Sequence, residues 1–338
     1  MNDLEHRIFE ENELLVAIEH DVRDKALPKL RDPEQKWHPS DLLPDSSQPK
    51  ELFLRQVGTL VDEWDGVDLM YIHCFLGAKI TEEGLPTFSR MLGSLPALAD
   101  PSGCSQKPWH RWSREWSAEE STHDQLLNIA TYFSRRVDSR RLDVTGYNFI
   151  RNGMDLKLNH HPTLIVLYPL MQELATCISH NQMGDRMREQ GAELLSTFCH
   201  HAGKDEARHF TAYKDMARGL IREAPEVVLS VFKEYFVDNN LVMPGEFMDD
   251  GKTNGLFSIY SIAAQKAGVY TARNYKDNFA RVVRVLGISD LCVSGKAADD
   301  QEAIMGQCNR LERGACIMEK RIKKMKLPEQ LPWINYDL

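Results

Sequence analysis

The chain lacks the features that mark several large protein classes. Its seven cysteines include no Cys-x-x-Cys pair, which argues against a zinc ribbon, and their odd number favours reduced thiols over a disulfide framework. No apolar run approaches eighteen residues, so no transmembrane segment is expected. Residues 1–20 are rich in Asp and Glu, unlike a signal or transit peptide. A cytoplasmic protein is therefore predicted.

The charge and the arrangement of the sequence exclude further classes. A net charge of −9 disfavours nucleic acid as a partner, although a local basic patch could still bind an acidic protein. No repeat of solenoid period and no low-complexity tract is present. With 338 residues and 42% hydrophobic content, the chain can bury a large core in one or two domains.

The secondary structure predicted from the sequence is almost entirely helical. Apolar residues recur at Leu69, Ile72, Leu76 and Ile80, a spacing typical of a helix, and strand-like alternation is missing. Proline and glycine cluster in five predicted connectors. These connectors are residues 31–50, 93–108, 151–162, 238–255 and 285–300. The sequence therefore predicts an all-α protein.

Two Glu-x-x-His tetrads stand out within this helical pattern. They are Glu120 to His123 and Glu206 to His209, and each lies in an otherwise apolar stripe. On a helix the i and i+3 side chains share a face, so each tetrad offers a carboxylate and an imidazole to the same neighbour. A single tetrad is often a chance match on a solvated surface, but two of them are more informative.

Each tetrad is preceded by a helical stretch that carries a further glutamate. The first stretch has Glu82 and Glu83, between which spacing alone does not choose, and the second has Glu173. Several carboxylates that point into an apolar interior require a compensating cation. Carboxylates mixed with imidazoles suit iron or manganese better than zinc. The pattern predicts a centre with two metal ions on four helices.

The chain resembles the soluble acyl-acyl-carrier-protein desaturases almost from end to end. The segments that carry the resemblance are residues 36–45, 80–88, 116–123, 172–176, 205–209 and 268–272. The resemblance implies a single ferritin-like domain over residues 1–338. It also implies that this domain forms a homodimer. The domain comprises an N-terminal arm (1–50), a four-helix diiron bundle (66–236) and additional C-terminal helices (255–326).

The resemblance also assigns the metal ligands and their surroundings. One iron would be held by Glu82 and His123, the other by Glu173 and His209, with Glu120 and Glu206 bridging the two. Asp205 would link His123 to Trp37 on a route for electrons from ferredoxin, although Trp37 could equally be a packing residue. Thr176 would deliver protons beside the oxygen-binding face, although a helical threonine often bonds only to its own preceding turn.

The activity implied by the resemblance is O2-dependent desaturation of a fatty acyl chain carried on acyl carrier protein. A channel would fix the position of the double bond. Met91, Leu92, Ser94 and Leu95, which follow Glu82 in the sequence, match the family segment that influences the length of the acyl chain. Ordinary packing in the core is the alternative role of these four residues. For docking of the acidic carrier protein, Arg208 matches a basic residue of the family. Further candidates, or else a solvated helix end, are Arg135, Arg136, Arg140 and Arg141.

Several departures from the family pattern leave other functions open. Ser121 and Thr122 are unusual within the first tetrad, Leu174 replaces an arginine common after the ligand Glu173, and Pro169 would remove a helix hydrogen bond. An additional inward histidine, for which His180 is the strongest candidate, would suit a diiron hydroxylase or N-oxygenase. The pairs His160-His161 and His200-His201 are not expected to be ligands. The latter pair lies off the face of Glu206.

Two further alternatives share the bundle. A ferritin-type iron store would need the metal ligands but neither Trp37 with Asp205 nor a substrate channel. A radical-storing subunit of ribonucleotide reductase would need a tyrosine beside the metal ions, for which Tyr213 is the candidate. The predicted location is a bacterial cytosol, or a plastid for an enzyme without its transit peptide.

Overall fold

The computed structural model describes residues 3–158, 161–238 and 241–337, and gives no account of the side chains of residues 3 and 4. Within these ranges the chain is helical, and the only β-type pairing is an isolated bridge between Val137 and Ile334. The predicted all-α fold is confirmed. None of the described helices is both long enough and apolar enough to cross a membrane.

The α-helices are numbered here in chain order. They are α1 (Asp3–Ala17), α2 (Glu19–Asp21), α3 (Pro39–Leu42), α4 (Lys50–Gly66), α5 (Leu69–Glu83), α6 (Leu85–Leu92), α7 (Pro108–Tyr132), α8 (Ser139–Asn152), α9 (Leu164–Glu189), α10 (Glu193–Glu223), α11 (Pro225–Phe236), α12 (Leu256–Ala267), α13 (Ala272–Val285) and α14 (Lys296–Ile322). A π-helix at Val22–Ala26 and short 3-10 turns join some of them.

Helix boundaries follow local signals in the sequence. Asp68 begins α5 by accepting a hydrogen bond from the amide of Met70 at 2.8 Å, which satisfies one of the free amides of the first turn. Pro108 is the first residue of α7, where its missing amide costs nothing. Gly268 ends α12 with a φ of 69°, a left-handed conformation that glycine adopts without strain.

Helices α5, α7, α9 and α10 form the central bundle, and the remaining helices pack around it. The tryptophans fasten the outer helices to it: the indole of Trp64 in α4 donates to the carbonyl of Ala130 at 3.0 Å. The indole of Trp109 donates to the carbonyl of Leu15 in α1 at 2.7 Å. The predicted N-terminal arm is thus helical as far as Lys29 and packs on the bundle.

Proline 169 lies inside α9, as the sequence predicts, and the helix continues through it to Glu189. Its ring nitrogen has no hydrogen to donate to the carbonyl of Ile165, so one rung of the helix is missing. Pro169 also borders an internal cavity described below. The break in hydrogen bonding therefore falls beside that cavity.

Candidate metal centre

The two tetrads and the two preceding glutamates meet in the middle of the bundle. Helix α5 supplies Glu82, α9 supplies Glu173, and α7 and α10 each supply one tetrad. Ligand atoms within 4.8 Å of one another form two groups, which share Glu120 and Glu206. The groups are Glu82, Glu120, His123 and Glu206, and Glu120, Glu173, Glu206 and His209. The structure thus brings together the six residues that the family resemblance suggests as ligands, and Glu120 and Glu206 belong to both groups.

The Nδ1 atoms of the two histidines face carboxylates in the interior of this cluster. His123 Nδ1 lies 3.1 Å from Glu120 and 3.4 Å from Glu206, while His209 Nδ1 lies 2.6 Å from Glu120 and 3.4 Å from Glu173. Neither Nδ1 makes a hydrogen bond of acceptable geometry with the described residues, nor do Glu120 Oε1 and Glu173 Oε2. Leaving such a group buried without a partner costs about 1–3 kcal/mol. Two cations at this place would satisfy all four atoms, so the residues fit a dinuclear metal site.

Each histidine is oriented by a carboxylate at its other ring nitrogen. His123 Nε2 lies 3.3 Å from Asp205 Oδ2, and His209 Nε2 lies 3.0 Å from Glu119 Oε2. With Nε2–H donated to a carboxylate, Nδ1 keeps its lone pair for a metal ion. The two halves of the site therefore use the same arrangement, although they take the carboxylate from different helices.

The predicted contact between Asp205 and Trp37 is present. The Trp37 indole donates to Asp205 Oδ2 at 2.9 Å, and its ring stacks on that of His123 with centroids 6.0 Å apart. The ammonium of Lys36 also donates to Asp205 and lies 3.8 Å from the centre of the indole ring. Nothing in the sequence indicates the burial of Lys36, because a lysine next to a proline-rich segment is usually exposed.

Arg208 is not positioned for docking of a carrier protein, contrary to the prediction. Its guanidinium donates to Glu119 at 2.8 Å, to the carbonyl of Lys29 at 2.7 Å and to Asp205. It thereby bridges the two carboxylates that orient the metal-site histidines, and its side chain is only 19% exposed. Because its donors are used internally, Arg208 has little to offer a partner.

Four arginines in and just before the start of α8 differ in their exposure to solvent. Arg135 and Arg140 are exposed. Arg136 donates to the backbone carbonyls of Asp65 and Val67, and Arg141 pairs with Asp250 at 2.6 Å. Only the two exposed side chains are therefore available to a partner.

The buried charges shift the pKa values of the cluster in opposite directions. Burial alone would lower the pKa of His123 and His209, but the adjacent Glu120 carboxylate and the outer carboxylates raise both well above the usual value. Burial raises the pKa of Glu173 well above its usual range, with Glu206 and Glu120 adding repulsion. The buried carboxylates thus favour additional positive charge at this place, which metal ions would supply.

A cavity of about 500 Å³ lies beside the cluster. It is bordered by the four glutamates of the metal site but by neither of its histidines. The rest of its wall is mainly apolar and includes Phe88, Trp116, Met154, Pro169 and Tyr260 from several helices, with Met318 from α14. The carboxylate side of the cluster thus faces the cavity, and the imidazoles lie on the side of Asp205 and Glu119.

The four residues proposed for the depth of the channel do not border this cavity, and their role in setting chain length stays a prediction. Leu92 and Leu95 are buried in the core that also contains Leu15. Met91 packs against that core, and the exposed hydroxyl of Ser94 donates to the carbonyl of Met91 at 2.7 Å. Helix α6 borders the cavity at Leu85 and Phe88, whereas its last residues pack elsewhere.

Thr176 and His180 both border the cavity. The Thr176 hydroxyl donates to the carbonyls of Gln172 and Glu173 at 3.0 and 3.2 Å, the ordinary bonding of a helical threonine. His180 Nε2 lies 3.0 Å from Glu82 Oε1 but belongs to neither group of four ligands. His180 therefore contacts a metal ligand without completing the ligand set.

The residues that depart from the family pattern, and Tyr213, make contacts that do not involve the candidate ligands. The hydroxyls of Ser121 and Thr122 donate to the carbonyls of Ala118 and Glu119, and Leu174 is buried in the apolar core. Tyr213 packs edge-on against Trp112 and Trp116, with ring centroids 5.3 and 6.3 Å apart. These departures leave the six ligand positions intact.

The described histidines of the two His-His pairs have partners outside the cluster. His161 lies 2.9 Å from Glu11, His200 Nδ1 lies 3.1 Å from Asn181, and His201 makes an edge contact with Trp37. His160 falls outside the described residues. The three described residues of these two pairs belong to neither group of four ligand atoms.

Comparison with known proteins places the chain among desaturases. A family model described as fatty acid desaturase matches residues 10–335. The acyl-[acyl-carrier-protein] 6-desaturase of Thunbergia alata is 34% identical over 298 residues, which cover 88% of this chain and 76% of that protein. The chloroplastic stearoyl-[acyl-carrier-protein] 9-desaturase 1 of Oryza sativa subsp. indica is 34% identical over 317 residues, which cover 93% of this chain and 82% of that protein.

Proposed function

Because the chain belongs to the fatty acid desaturase family, we propose that it introduces a double bond into a fatty acyl chain carried on acyl carrier protein. The observation that carries this proposal is the largely apolar cavity, which the four carboxylates of the metal site border. An alkyl chain has no polar group by which it could be held, so an apolar cavity of matching shape is the means of positioning it. The two relatives named above act at different positions, and the position used here is a separate question.

The proposed cofactor is a pair of iron ions. Glu82 and His123 would hold one, Glu173 and His209 the other, and Glu120 and Glu206 would bridge them. Four carboxylates neutralise two divalent ions, and the mixture of oxygen and nitrogen donors suits iron. When bound, the ions would supply the reactivity toward O2 that removal of hydrogen from a methylene group requires.

The protein residues would contribute positioning, exclusion of water and proton handling. The cavity would hold two adjacent methylene groups beside the carboxylates, away from bulk water. The substrate gives up two hydrogen atoms and gains a carbon-carbon double bond. O2 takes these up together with two electrons and two protons from outside and leaves as two water molecules. Ferredoxin is the proposed electron donor, through Trp37 and Asp205, and the Thr176 hydroxyl at the cavity wall is the proposed proton donor.

A homodimer is the proposed assembly. Four large apolar side chains are exposed along α7 and α8: Ile129 at 41%, Tyr132 at 59%, Tyr147 at 65% and Ile150 at 39%. A surface of this kind favours contact with another protein. Analytical ultracentrifugation at micromolar concentration should give the mass of two chains. The mass of a single chain would contradict the proposed homodimer. The cytoplasmic location stays a prediction.

The activity is tested by incubating the iron-loaded protein with saturated acyl carrier substrates of increasing length, ferredoxin, its reductase and O2. Mass spectrometry should find a product that is lighter by two hydrogen atoms, and cleavage at the double bond gives its position. If no substrate in the series yields an alkene, the proposal is wrong. A control with Glu206→Gln, which removes a bridging ligand, should yield no product.

Product masses, iron uptake and a test for a radical separate the alternative functions. Gain of an oxygen atom would favour a hydroxylase or N-oxygenase, for which the contact between His180 and Glu82 is the supporting observation. Uptake of iron far beyond two ions per chain, without product, would favour storage. A tyrosyl radical signal on exposure of the reduced protein to O2 would implicate Tyr213.

A further inference from the structure

A concentrated positive charge lies at the C-terminal end of α14. This basic end of α14 is defined as residues 320–326, which contain no acidic residue. Its five cations are all exposed: Lys320, Arg321, Lys323, Lys324 and Lys326. Among the described residues, none of these five side chains forms a direct ion pair or a hydrogen bond, and Lys323 exerts only a Coulombic effect on Glu319. In a chain of net charge −9, such an unpaired cluster is a distinct surface feature.

The acidic residues that precede the basic end of α14 are already paired with cations of α13. Arg273 lies 2.7 Å from Glu319 and 2.8 Å from Glu312, and Lys276 lies 2.9 Å from Glu312. These pairs neutralise the two acidic groups of α14 that precede the cluster, while the exposed Glu329 follows Lys326 by three residues. The unpaired cations therefore dominate the potential at this end of the molecule, and they would attract an acidic surface.

The same end of α14 reaches the cavity beside the metal site. Met318 borders the cavity, although it lies on an outer helix. Its neighbour Ile317 is 53% exposed, so the chain at this point adjoins solvent as well. Arg321 follows Met318 by three residues, which is about 5 Å along the helix axis. Met325, at 41% exposure, adds an apolar side chain among the cations.

We propose that the basic end of α14 is the docking surface for the acidic carrier protein, and that the acyl chain enters the cavity past Met318. This inference rests on the proposed function and adds the location of the partner. Of the docking residues expected from the sequence, Arg208 is engaged inside the protein and Arg136 and Arg141 are bound to neighbouring groups, which leaves the exposed Arg135 and Arg140 as the rival surface. A mixed basic and apolar surface suits an acidic protein that delivers an apolar chain.

The first test measures binding of a fluorescently labelled acyl carrier protein to the full-length protein, without turnover. The variant Arg321→Gln with Lys324→Gln should raise the Kd between about two- and thirtyfold, because each exposed ion pair contributes roughly 0.2–1 kcal/mol. The matched control is Arg135→Gln with Arg140→Gln, which removes two exposed cations from the start of α8. The control should leave the Kd unchanged, and the wild-type Kd should rise with ionic strength more steeply than that of the α14 variant.

The opposite pattern overturns the proposal: a Kd that rises in the α8 variant and not in the α14 variant places the carrier at α8. A Kd that is equal in all three proteins also overturns it. If the α14 variant binds the carrier normally but binds ferredoxin with a higher Kd than the wild type does, the surface serves the electron donor instead. None of these outcomes requires that the chain make an alkene, so failure of the docking site and failure of the proposed activity are distinguishable.

The natural cysteines provide a second measurement that needs no substitution. Cys316 is exposed on α14, two residues before Met318, whereas Cys104 is exposed in the connector between α6 and α7. A saturating concentration of acyl carrier protein should slow alkylation of Cys316 and leave that of Cys104 unchanged, as read by peptide mass spectrometry. Slower alkylation of Cys104 with unchanged Cys316 would contradict the proposed docking surface.

Discussion

At the residue scale, the metal site depends on two carboxylates that need not touch a metal ion. Asp205 and Glu119 accept the Nε2 hydrogen of His123 and His209, and Arg208 bridges the two acceptors. Fixing the tautomer and the ring angle of a histidine in this way raises its affinity for a metal ion. The candidate metal site therefore includes residues beyond the six candidate ligands.

Replacing Glu119 by Gln should weaken metal binding at the His209 half of the site. The amide can still contact Nε2 but no longer offers a charged acceptor, and losses of about 10- to 100-fold in affinity follow when such partners are removed. Competition with a calibrated chelator measures the affinity directly. The matched control is Glu115→Gln, one turn earlier on α7, where the exposed carboxylate pairs with Arg111 at 2.8 Å. Equal affinities for the two variants would contradict the assigned role.

The ligands could be predicted from the sequence and their surroundings only in part. Glu120 and His123 share a helix face by spacing alone, and so do Glu206 and His209, because the helix period is encoded locally. The burial of Arg208 is set by Glu119 on another helix and by the backbone of Lys29. No periodicity in α10 reports those contacts, so the residue looked like a surface cation.

At the scale of helices, the cavity depends on how closely α5 and α12 approach. Gly77 of α5 lies against the Tyr260 ring of α12, and a Cβ added there would be 2.1 Å from a ring carbon. Tyr260 in turn borders the cavity. The missing side chain at position 77 therefore allows a ring of α12 to form part of the cavity wall.

The variant Gly77→Ala should destabilise the protein by about 1–3 kcal/mol, because the added methyl group overlaps the Tyr260 ring. Displacement of that ring should also change the distribution of products over the substrate series. The control is Gly58→Ala in α4, where a Cβ would have no atom within 4 Å. That change should stabilise the helix by about 0.5–1 kcal/mol. Chemical denaturation of both variants provides the comparison, and equal midpoints would contradict the predicted contact.

The cavity wall could not be predicted from the sequence for the same physical reason. After Glu82, the chain borders the cavity at Phe88. The last residues of α6, which ends at Leu92, do not border the cavity. Tyr260 and Met318 complete the wall from helices far along the chain. Which helices meet at a cavity is decided by tertiary packing, whereas the helices themselves are encoded by local spacing and by Pro and Gly.

At the scale of the whole molecule, the C-terminal segment returns to the bundle and packs on α5. Trp333 is fully buried, its ring stacks on that of His73 at 5.0 Å, and its indole donates to Thr145 at 2.9 Å. His73 Nδ1 lies 3.2 Å from the carbonyl of Pro332, while Nε2 has no partner among the described residues. The contact therefore requires a neutral imidazole, protonated at Nδ1 only.

This contact predicts a loss of stability on mild acidification. Burial lowers the pKa of His73 to about 4, from a usual value of 6.5. Since the folded pKa is the lower one, the unfolded chain binds more protons between these values. The contribution of His73 is therefore complete above pH 6.5 and declines as the pH falls toward 4. It amounts to about 3 kcal/mol at most, at 1.36 kcal/mol per unit.

The variant His73→Asn isolates that contribution, because the amide can donate to Pro332 in place of Nδ1 and does not titrate. Other groups also take up protons in this range, so the informative quantity is the difference between wild type and variant in the free energy of unfolding. Denaturant titrations at pH 7, 6, 5 and 4 should show that the wild type loses more stability than the variant as the pH falls. Parallel pH dependences would mean that the imidazole gains a proton while the C-terminal segment stays bound, and that its burial does not control this contact.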